Sequence, residues 1–203
     1  HARAPGNLRE QFLGQRLEER KGFTVEEVLE VLGQVASVLD QTHAAGIVHR
    51  DLKPDNLFAT PRSDGGMHIK ILDFCIAKAV SQLGQNRNTA NIGTPLYMAP
   101  EQVDGTQLDH RADLFSLAHI AFELLTGENY WEHELNTLPG TIALLRAMDR
   151  GFPEPASVRA AKRGIHLGKS FDDWFFRAVA RDPDARFRTA SALVTGLAEA
   201  LGE

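Results

Sequence analysis

The chain has 203 residues, of which 43% are hydrophobic and 24% are charged, as expected for one folded domain with a substantial core. Its formal net charge of -5 argues against a nucleic-acid-binding protein that relies on a broad basic surface. The single cysteine, Cys75, excludes an internal disulfide, and no apolar run reaches the roughly 18 to 20 residues that span a bilayer. We therefore expect a cytoplasmic protein with no membrane segment and no nucleic-acid partner.

A long helix is the first regular element that the sequence predicts, over residues 24–45. Its apolar residues recur at helical spacing and form one stripe along the helix. Thr24 and Glu27 have the spacing of a capping box, in which each side chain binds the other's free backbone N–H. Gly46 supplies a helix stop.

Short β-like segments follow this helix at residues 47–48, 57–59 and 68–72. Between the last two, residues 61–66 have the composition of a turn. Residues 73–101 then show no regular period, and a stretch of that length inside a compact domain is usually functional or mobile.

The rest of the chain is predicted to be helical. Residues 112–126 are apolar nearly all round and end at Gly127, so we expect them to form the buried axis of the domain. Further helices are predicted at about 141–149, at 171–181 after an N-cap at Ser170, and at 190–201 after an N-cap at Thr189.

Polar side chains that suit phosphate chemistry concentrate in residues 49–56, HRDLKPDN, between two of the β-like segments. Asp73 comes seventeen positions after Asn56, directly behind an apolar strand. Two carboxylates and an amide oxygen brought together in this way suit Mg²⁺, which prefers oxygen ligands. A nearby lysine suits the charge of a phosphate.

These residues resemble the signature of the protein kinases. Residues 49–56 are similar to the catalytic loop H-R-D-L-x-x-x-N, residues 73–75, DFC, to the D-F-G motif, and residues 93–101, GTPLYMAPE, to the end of the activation segment with its A-P-E. Asp113 resembles the start of the family's buried central helix, and residues 181–186 resemble its Arg-bearing turn near the C-terminal end. The motifs follow the family's order and spacing.

The resemblance implies a mainly α fold of the α+β class, the C-terminal lobe of a eukaryotic-like (Hanks-type) Ser/Thr kinase. Short β-hairpins in this lobe carry the catalytic and metal-binding loops. We expect the lobe at residues 23–203, with the catalytic loop at 49–56 and the activation segment at 73–101. Residues 1–22 would form a segment near the hinge, with a short helix.

The resemblance also implies a role for each matched residue. Asp51 would orient the substrate hydroxyl and accept its proton, and Lys53 would stabilise the transferring phosphoryl group. Asn56 and Asp73 would hold Mg²⁺ between the phosphates of ATP, and Phe58 would lie beneath the adenine. The implied cofactors are ATP and Mg²⁺, and the implied substrates are Ser and Thr hydroxyls of proteins, because lysine two positions after the catalytic aspartate is typical of Ser/Thr kinases.

Other matched residues imply regulation or support. Arg50 would bind a phosphorylated activation segment, for which Thr89 is the first candidate phosphosite and Ser81 the second. Thr94, which follows Gly93 in the Ser/Thr pattern, is a further regulatory candidate. The structural candidates are His49, Phe74, Asp113 and the buried ion pair of Glu101 with Arg186.

The sequence departs from the family pattern in two places. The third residue of D-F-G is a glycine in the family, and this sequence has Cys75 there. The cysteine side chain restricts the backbone at this position without removing a metal ligand. The segment before Thr24 contains no G-x-G-x-x-G and no lysine in an apolar strand, so we expect this chain to lack the N-terminal lobe. We expect no useful kinase activity from this chain alone, and we expect the surface around Phe58 and Phe74, which that lobe would cover, to favour dimerisation.

Two other functions remain open at this point. A pseudokinase or scaffold, which binds a partner through the helices of the lobe, is the first, and Cys75 and the missing lobe favour it. An aminoglycoside-type phosphotransferase is the second, but the A-P-E at residues 99–101 argues against it.

Overall fold

The computed structural model describes residues 11–19, 22–74, 95–105 and 108–203. Three short strands form one sheet: β1 Gln11–Phe12, β2 Leu57–Pro61 and β3 Met67–Ile71. The α-helices described are α1 Leu13–Glu19, α2 Val25–Ala44, α3 Pro100–Asp104, α4 Arg111–Thr126, α5 Glu132–Thr137, α6 Thr141–Asp149, α7 Ala156–Lys162, α8 Lys169–Ala178 and α9 Ala190–Leu201. None of them is long and apolar enough to cross a bilayer.

The predicted capping box at the start of α2 is confirmed. Thr24 Oγ1 accepts the backbone N–H of Glu27 at 3.2 Å, and the Glu27 carboxylate accepts the backbone N–H of Thr24 at 2.9 Å. Two N–H groups that the first helical turn leaves without partners are thereby satisfied.

Replacing this capping threonine is expected to lower the free energy of unfolding by about 1 kcal/mol, since Thr24→Ala leaves one of these N–H groups without its side-chain acceptor. Urea denaturation followed by circular dichroism measures the change. Thr141→Ala is the matched control, because Thr141 begins α6 without making a capping bond, and its loss should change stability by less than about 0.5 kcal/mol. Equal losses for the two variants would contradict this assignment.

The sheet is antiparallel in the order β1-β2-β3, and α2 covers its β3 edge. The side chain of Gln34 on α2 binds backbone groups at the β3 edge that a neighbouring strand would otherwise bind. Its Nε2 donates to Met67 O at 2.8 Å, and its Oε1 accepts the Ile69 N–H at 3.0 Å. These two backbone groups of the β3 edge are therefore paired within the domain.

Helix α4 is the buried axis that the sequence predicted. All of its residues are buried except Arg111 and Glu123, which are half-buried. At the far end of the chain, α9 packs on α2, where Asp40 accepts the N–H groups of Ala190 and Ser191 at 2.8 and 3.1 Å. The predicted cap of α9 is confirmed, with Thr189 Oγ1 accepting the Ala192 N–H at 3.1 Å.

Two predicted elements were wrong. Residues 47–48 form no strand, because the N–H of Ile47 donates to Thr42 O at 2.8 Å and winds the chain around the end of α2. Helix α8 begins at Lys169 with Gly168, not Ser170, as its N-cap, and it ends at Ala178 rather than 181.

His119 lies at the centre of the core on α4, fully buried, with both ring nitrogens unpaired among the described residues. Its ring packs against four aromatic side chains, those of Phe115, Tyr130, Phe152 and Phe175. Burial without a hydrogen-bond partner lowers the pKa of His119 to about 3. The ring is therefore neutral in the folded protein across the physiological range.

This histidine should make the protein less stable in mild acid. Between pH 6.5 and pH 3 the unfolded chain binds a proton at His119 and the folded chain does not, so stability falls as the pH falls. Going from pH 7 to pH 5, the loss is about 2 kcal/mol. Urea denaturation at both values should show it in the wild type, and His119→Phe should remove that difference. An unchanged pH dependence in the variant would refute the assignment.

Candidate active site

One buried carboxylate holds the backbone at the start of the loop of residues 49–56. Asp113, fully buried near the start of α4, accepts the backbone N–H of His49 at 2.8 Å through Oδ2 and that of Arg50 at 2.8 Å through Oδ1. His43 Nε2 lies 2.8 Å from Oδ2. The structure therefore places Asp113 where it joins the end of α2, the loop and the central helix.

His49 connects this loop to the segment that carries Asp73. Its Nδ1 accepts the N–H of Asp51 at 3.3 Å, so its Nε2 is the nitrogen that donates to Leu72 O at 2.9 Å. The ring also packs edge-on against Phe74 with centroids 4.7 Å apart. His49 thus holds the loop of residues 49–56 and the segment of Leu72 and Phe74 in fixed positions relative to each other.

Asn56 is buried and its orientation is set by the same loop. Its Nδ2 donates to Asp51 O at 2.7 Å, and this bond fixes the orientation of the amide and so of its oxygen, the atom that the sequence predicts as a metal ligand. The backbone oxygen of Asn56 accepts the Leu72 N–H at 2.8 Å, just before Asp73. The two predicted metal ligands are therefore joined through one short hydrogen-bonded connection.

These two residues supply oxygen donors, which fit Mg²⁺. Within residues 11–19, 22–74, 95–105 and 108–203, no group of three or more His, Cys, Asp or Glu side chains could hold a metal by itself. A site with one amide and one carboxylate leaves most positions of an octahedral ion to other oxygens. That is the arrangement in which Mg²⁺ is bound together with the phosphates of a nucleotide.

The side chains of Asp51 and Lys53 lie at the surface of the loop. Lys53 Nζ is 3.8 Å from Asp51 Oδ2, and each side chain is 36% exposed. At this exposure the pair contributes little to stability. Both groups therefore remain accessible to a reacting molecule.

Two non-glycine residues of the site have a left-handed backbone. Arg50 has φ 69° and Asp73 has φ 56°. Such conformations raise the energy of a residue by about 1 to 3 kcal/mol and persist where the surroundings impose them. Here the Asp113 bond to the Arg50 N–H and the His49 bond to Leu72 O hold the backbone beside each of them.

Gln102, which the sequence reading did not single out, connects the A-P-E segment with the catalytic loop. Its Oε1 accepts the Ala99 N–H at 3.0 Å and its Nε2 donates to Arg50 O at 2.8 Å. Its position directly after A-P-E was the only signal in the sequence. Gln102 also lines a small cavity of about 30 Å³ beneath Asp51 and Lys53.

Tyr97 fastens the same segment to the central helix. Its backbone oxygen accepts from Ser116 Oγ at 2.7 Å, and its hydroxyl donates to Glu123 Oε2 at 2.5 Å. Burial raises the pKa of Glu123 to about 7, and burial together with the Glu123 charge raises the pKa of Tyr97 well above its usual range. The hydroxyl therefore keeps its proton and donates it in this bond.

Glu101 and Arg186 form a buried, bidentate ion pair. Arg186 Nη1 and Nη2 donate to Glu101 Oε1 and Oε2 at 2.6 and 2.8 Å, and both side chains are buried. Arg186 also donates to the backbone oxygens of Ala180 and Arg111 at 2.7 and 3.0 Å. Through these bonds Arg186, which lies just before α9, connects Glu101 on α3 with the end of α8 and the start of α4.

Phe58 lies on β2, two positions after Asn56. It pairs with Phe12 on β1, and the two rings meet edge-on with centroids 5.1 Å apart. Asp73 is exposed and Phe74 half-buried. The predictions for Cys75, Ser81, Thr89 and Thr94 concern residues outside the described part of the chain.

Comparison with known proteins agrees with this geometry. The model of the protein kinase domain family matches residues 7–195. Over 178 residues the chain is 41% identical to the serine/threonine-protein kinase Pkn1 of Myxococcus xanthus, which covers 87% of this chain and 24% of Pkn1. It is 40% identical over 186 residues to pkn3 of the same organism, covering 90% of this chain and 33% of pkn3.

A solved structure shares the fold. The kinase domain of PknI from Mycobacterium tuberculosis has a TM-score of 0.65 and 26% identity, covering 95% of this chain and 62% of that domain. The chain spans about a quarter to a third of the length of the two Myxococcus relatives. The activity, substrates and partners of these longer proteins therefore come to this chain only as a proposal.

Proposed function

This chain belongs to the protein kinase domain family, and we propose that it is the catalytic lobe of a Ser/Thr kinase, which transfers the γ-phosphate of ATP to protein hydroxyls. The observation that carries the proposal is the loop of residues 49–56, held by Asp113 with the Asn56 amide bonded to the Asp51 carbonyl. This arrangement presents a carboxylate, an ammonium group and an amide oxygen from one short segment. Those are the groups that phosphoryl transfer requires.

In this proposal Asp51 orients the substrate hydroxyl and accepts its proton. Its carboxylate is partly exposed, while its backbone N–H and carbonyl are both engaged, to His49 and Asn56. The backbone is therefore fixed while the side chain stays accessible, which suits a group that must meet the substrate in one geometry.

Lys53 and the two metal ligands carry the charge stabilisation in this proposal. Lys53 Nζ lies near enough to Asp51 to contact a phosphoryl group that is passing to a hydroxyl at Asp51. Asn56 and Asp73 would hold Mg²⁺, which when bound neutralises the charge of the phosphates. The orientation of the Asn56 amide and the left-handed backbone of Asp73 prepare both ligands before the ion binds.

The remaining assignments are part of the same proposal. Phe58 would form the floor beneath the adenine, and Arg50 would receive the phosphate of Thr89 after phosphorylation. The Gly-rich loop and the strand lysine of the family would come from an N-terminal lobe of the same protein. Protein substrates are the partners, and a cytoplasmic location goes with that reaction.

The test is phosphate transfer from radiolabelled ATP to a general protein substrate. It compares the 203-residue chain with the natural full-length protein, with Mg²⁺ and with Mg²⁺ removed by a chelator. We expect Mg²⁺-dependent label on serine and threonine with the full-length protein and none with the 203-residue chain. Nucleotide binding without transfer by the full-length protein would overturn the proposal in favour of a scaffold that kept the kinase fold.

A further inference from the structure

A large apolar groove lies beside the catalytic loop and has no part in the proposed chemistry. It has a volume of about 580 Å³, within the range of ligand pockets, about 300 to 1,000 Å³. Helices α3, α4, α6 and α8 surround it. We call it the α3–α6 groove, and the lining residues that matter below are Met98, Val103, Trp131, Ile142, Arg150 and Phe176.

Unusually many apolar side chains are exposed in this groove. Ile142 is 55% exposed, Val103 45% and Phe176 36%, and each lines the groove from a different helix. Large apolar side chains that cluster on a surface mark a site where another molecule binds. The size and the walls fit one or two bulky apolar side chains of a bound segment, in the way that apolar anchors fill pockets at protein interfaces.

The charges along the rim indicate the sign of that segment. Ile142, Arg146 and Arg150 follow each other at intervals of four residues, so they lie along one face of α6 and its end. Arg146 and Arg150 are exposed and neither has an ion-pair partner among the described residues.

The carboxylates of the groove do not neutralise these two arginines. Asp149 is 2.5 Å from Arg181 Nη1, and Asp104 is 3.6 Å from Arg181 Nη2. Both aspartates are therefore engaged by a third arginine of the groove. The described lining of the groove therefore has three arginines and two aspartates, a local charge of +1 in a chain whose net charge is -5. A locally positive rim next to an exposed apolar face favours an acidic partner.

We propose that the α3–α6 groove binds an acidic peptide segment with bulky apolar side chains, supplied by a protein substrate at a distance from its phosphorylated residue. Met98 lines both this groove and the small cavity beneath Asp51 and Lys53. A segment in the groove therefore lies next to the catalytic loop. Naming the partner a substrate rests on the proposed function, whereas the binding itself does not.

The test uses a short synthetic peptide with one phenylalanine and one leucine between glutamates, and the 203-residue chain without nucleotide. Binding is followed by the fluorescence of Trp131, which lines the groove, and by anisotropy of a labelled peptide. We expect saturable binding that weakens at least tenfold when the glutamates of the peptide are replaced by lysines, and that is lost when its two apolar residues become alanines. No saturable binding of the original peptide would overturn the proposal.

Matched variants locate the site. Ile142→Ala and Arg150→Glu are each expected to weaken binding about tenfold. Ile47→Ala and Arg188→Glu change exposed residues outside the groove and should leave the affinity unchanged. Equal affinity in all four variants would place the peptide elsewhere and refute the inference.

Sedimentation velocity separates the peptide from the other possible occupant, a second copy of the chain. A monomer at the concentrations of the binding assay supports the inference. A dimer that Ile142→Ala converts to a monomer would show that a second copy fills the groove, and would overturn it. Because no ATP is present, failure of peptide binding leaves phosphate transfer by the full-length protein as an independent result.

Discussion

Substituting Asp51 with asparagine in the full-length protein is expected to lower the kcat of phosphate transfer by about 10²- to 10⁴-fold. The amide has the shape of the carboxylate and can still bind the substrate hydroxyl, but it cannot accept the proton of that hydroxyl. The KM for ATP should stay within about threefold, because in the proposed site the nucleotide is bound by other residues. Initial rates at several ATP concentrations measure both quantities.

Asp55→Asn is the matched control for this substitution. It makes the same chemical change four positions further along the same loop, at an exposed side chain. We expect it to keep at least half of the wild-type kcat. Equal losses in the two variants would mean that the loop responds to its total charge, and the assignment of Asp51 as the proton acceptor would fail.

The stability of the Asp51 variant separates chemistry from folding. The two hydrogen bonds of Asp51 described above run through its backbone N–H and carbonyl, which the substitution keeps, and its exposed side-chain pair with Lys53 contributes little to stability. The free energy of unfolding should therefore change by less than about 0.5 kcal/mol. A loss of activity with unchanged stability is the expected signature of a group that acts on the substrate.

The sequence predicted those parts of the fold that depend on local pattern. The prediction of a mainly α kinase-like lobe is confirmed. The predictions of α2 and α9 are confirmed too, because in each helix a threonine cap directly precedes a stripe of apolar residues, so both signals are local in the sequence. Helix α4 was predictable because its residues are apolar on all sides, which a helix tolerates only in a core.

The short helices could not be predicted in the same way. Helices α5 and α7 have few turns, and contacts across the fold hold them in place. Arg159 on α7 donates to the two carboxylate oxygens of Glu134 on α5 at 2.7 and 2.6 Å, and its guanidinium packs on the ring of Tyr130. These partners are 25 and 29 residues away in the sequence, so no local pattern contains them. The misplaced start of α8 is similar, since Ser170 has a typical capping side chain and Gly168 forms the cap without one.

The candidate site was predictable in its residues and not in its supports. The spacing of Asp51, Lys53, Asn56 and Asp73 follows a known motif and could be read directly. The contacts that orient these groups come from residues far away in the sequence, such as His43, Gln102 and Asp113. Gln102 in particular follows a recognisable motif without being part of it, and its two hydrogen bonds became visible only in three dimensions.

Among those supports, Asp113 is the one whose loss should have the largest effect on the fold. Asp113→Ala leaves the backbone N–H groups of His49 and Arg50 without their acceptor, in a part of the protein that water does not reach freely. Each unpaired N–H destabilises the protein by about 1 to 3 kcal/mol, so the total loss is about 2 to 6 kcal/mol. That is a large share of the stability of a typical domain, about 5 to 15 kcal/mol.

Urea denaturation of Asp113→Ala, Asp113→Asn and Asp173→Ala measures this effect. The asparagine retains one acceptor oxygen for one of the two N–H groups, so we expect about half of the loss and a protein that still folds if the alanine variant does not. Asp173→Ala removes an exposed aspartate, paired with Lys169 on the surface of α8, and should change stability by less than about 1 kcal/mol.

Hydrogen exchange decides whether the loss is local to the catalytic loop. In Asp113→Asn, the amides of residues 49–56 should exchange faster than in the wild type, while those of α9, which Asp40 holds from α2, should exchange at a rate set only by the lower global stability. The left-handed backbone of Arg50 depends on the bond from its N–H to Asp113, so Arg50 should be the first residue to relax. Uniform acceleration across the domain would mean that Asp113 stabilises the core in general and does not position the loop.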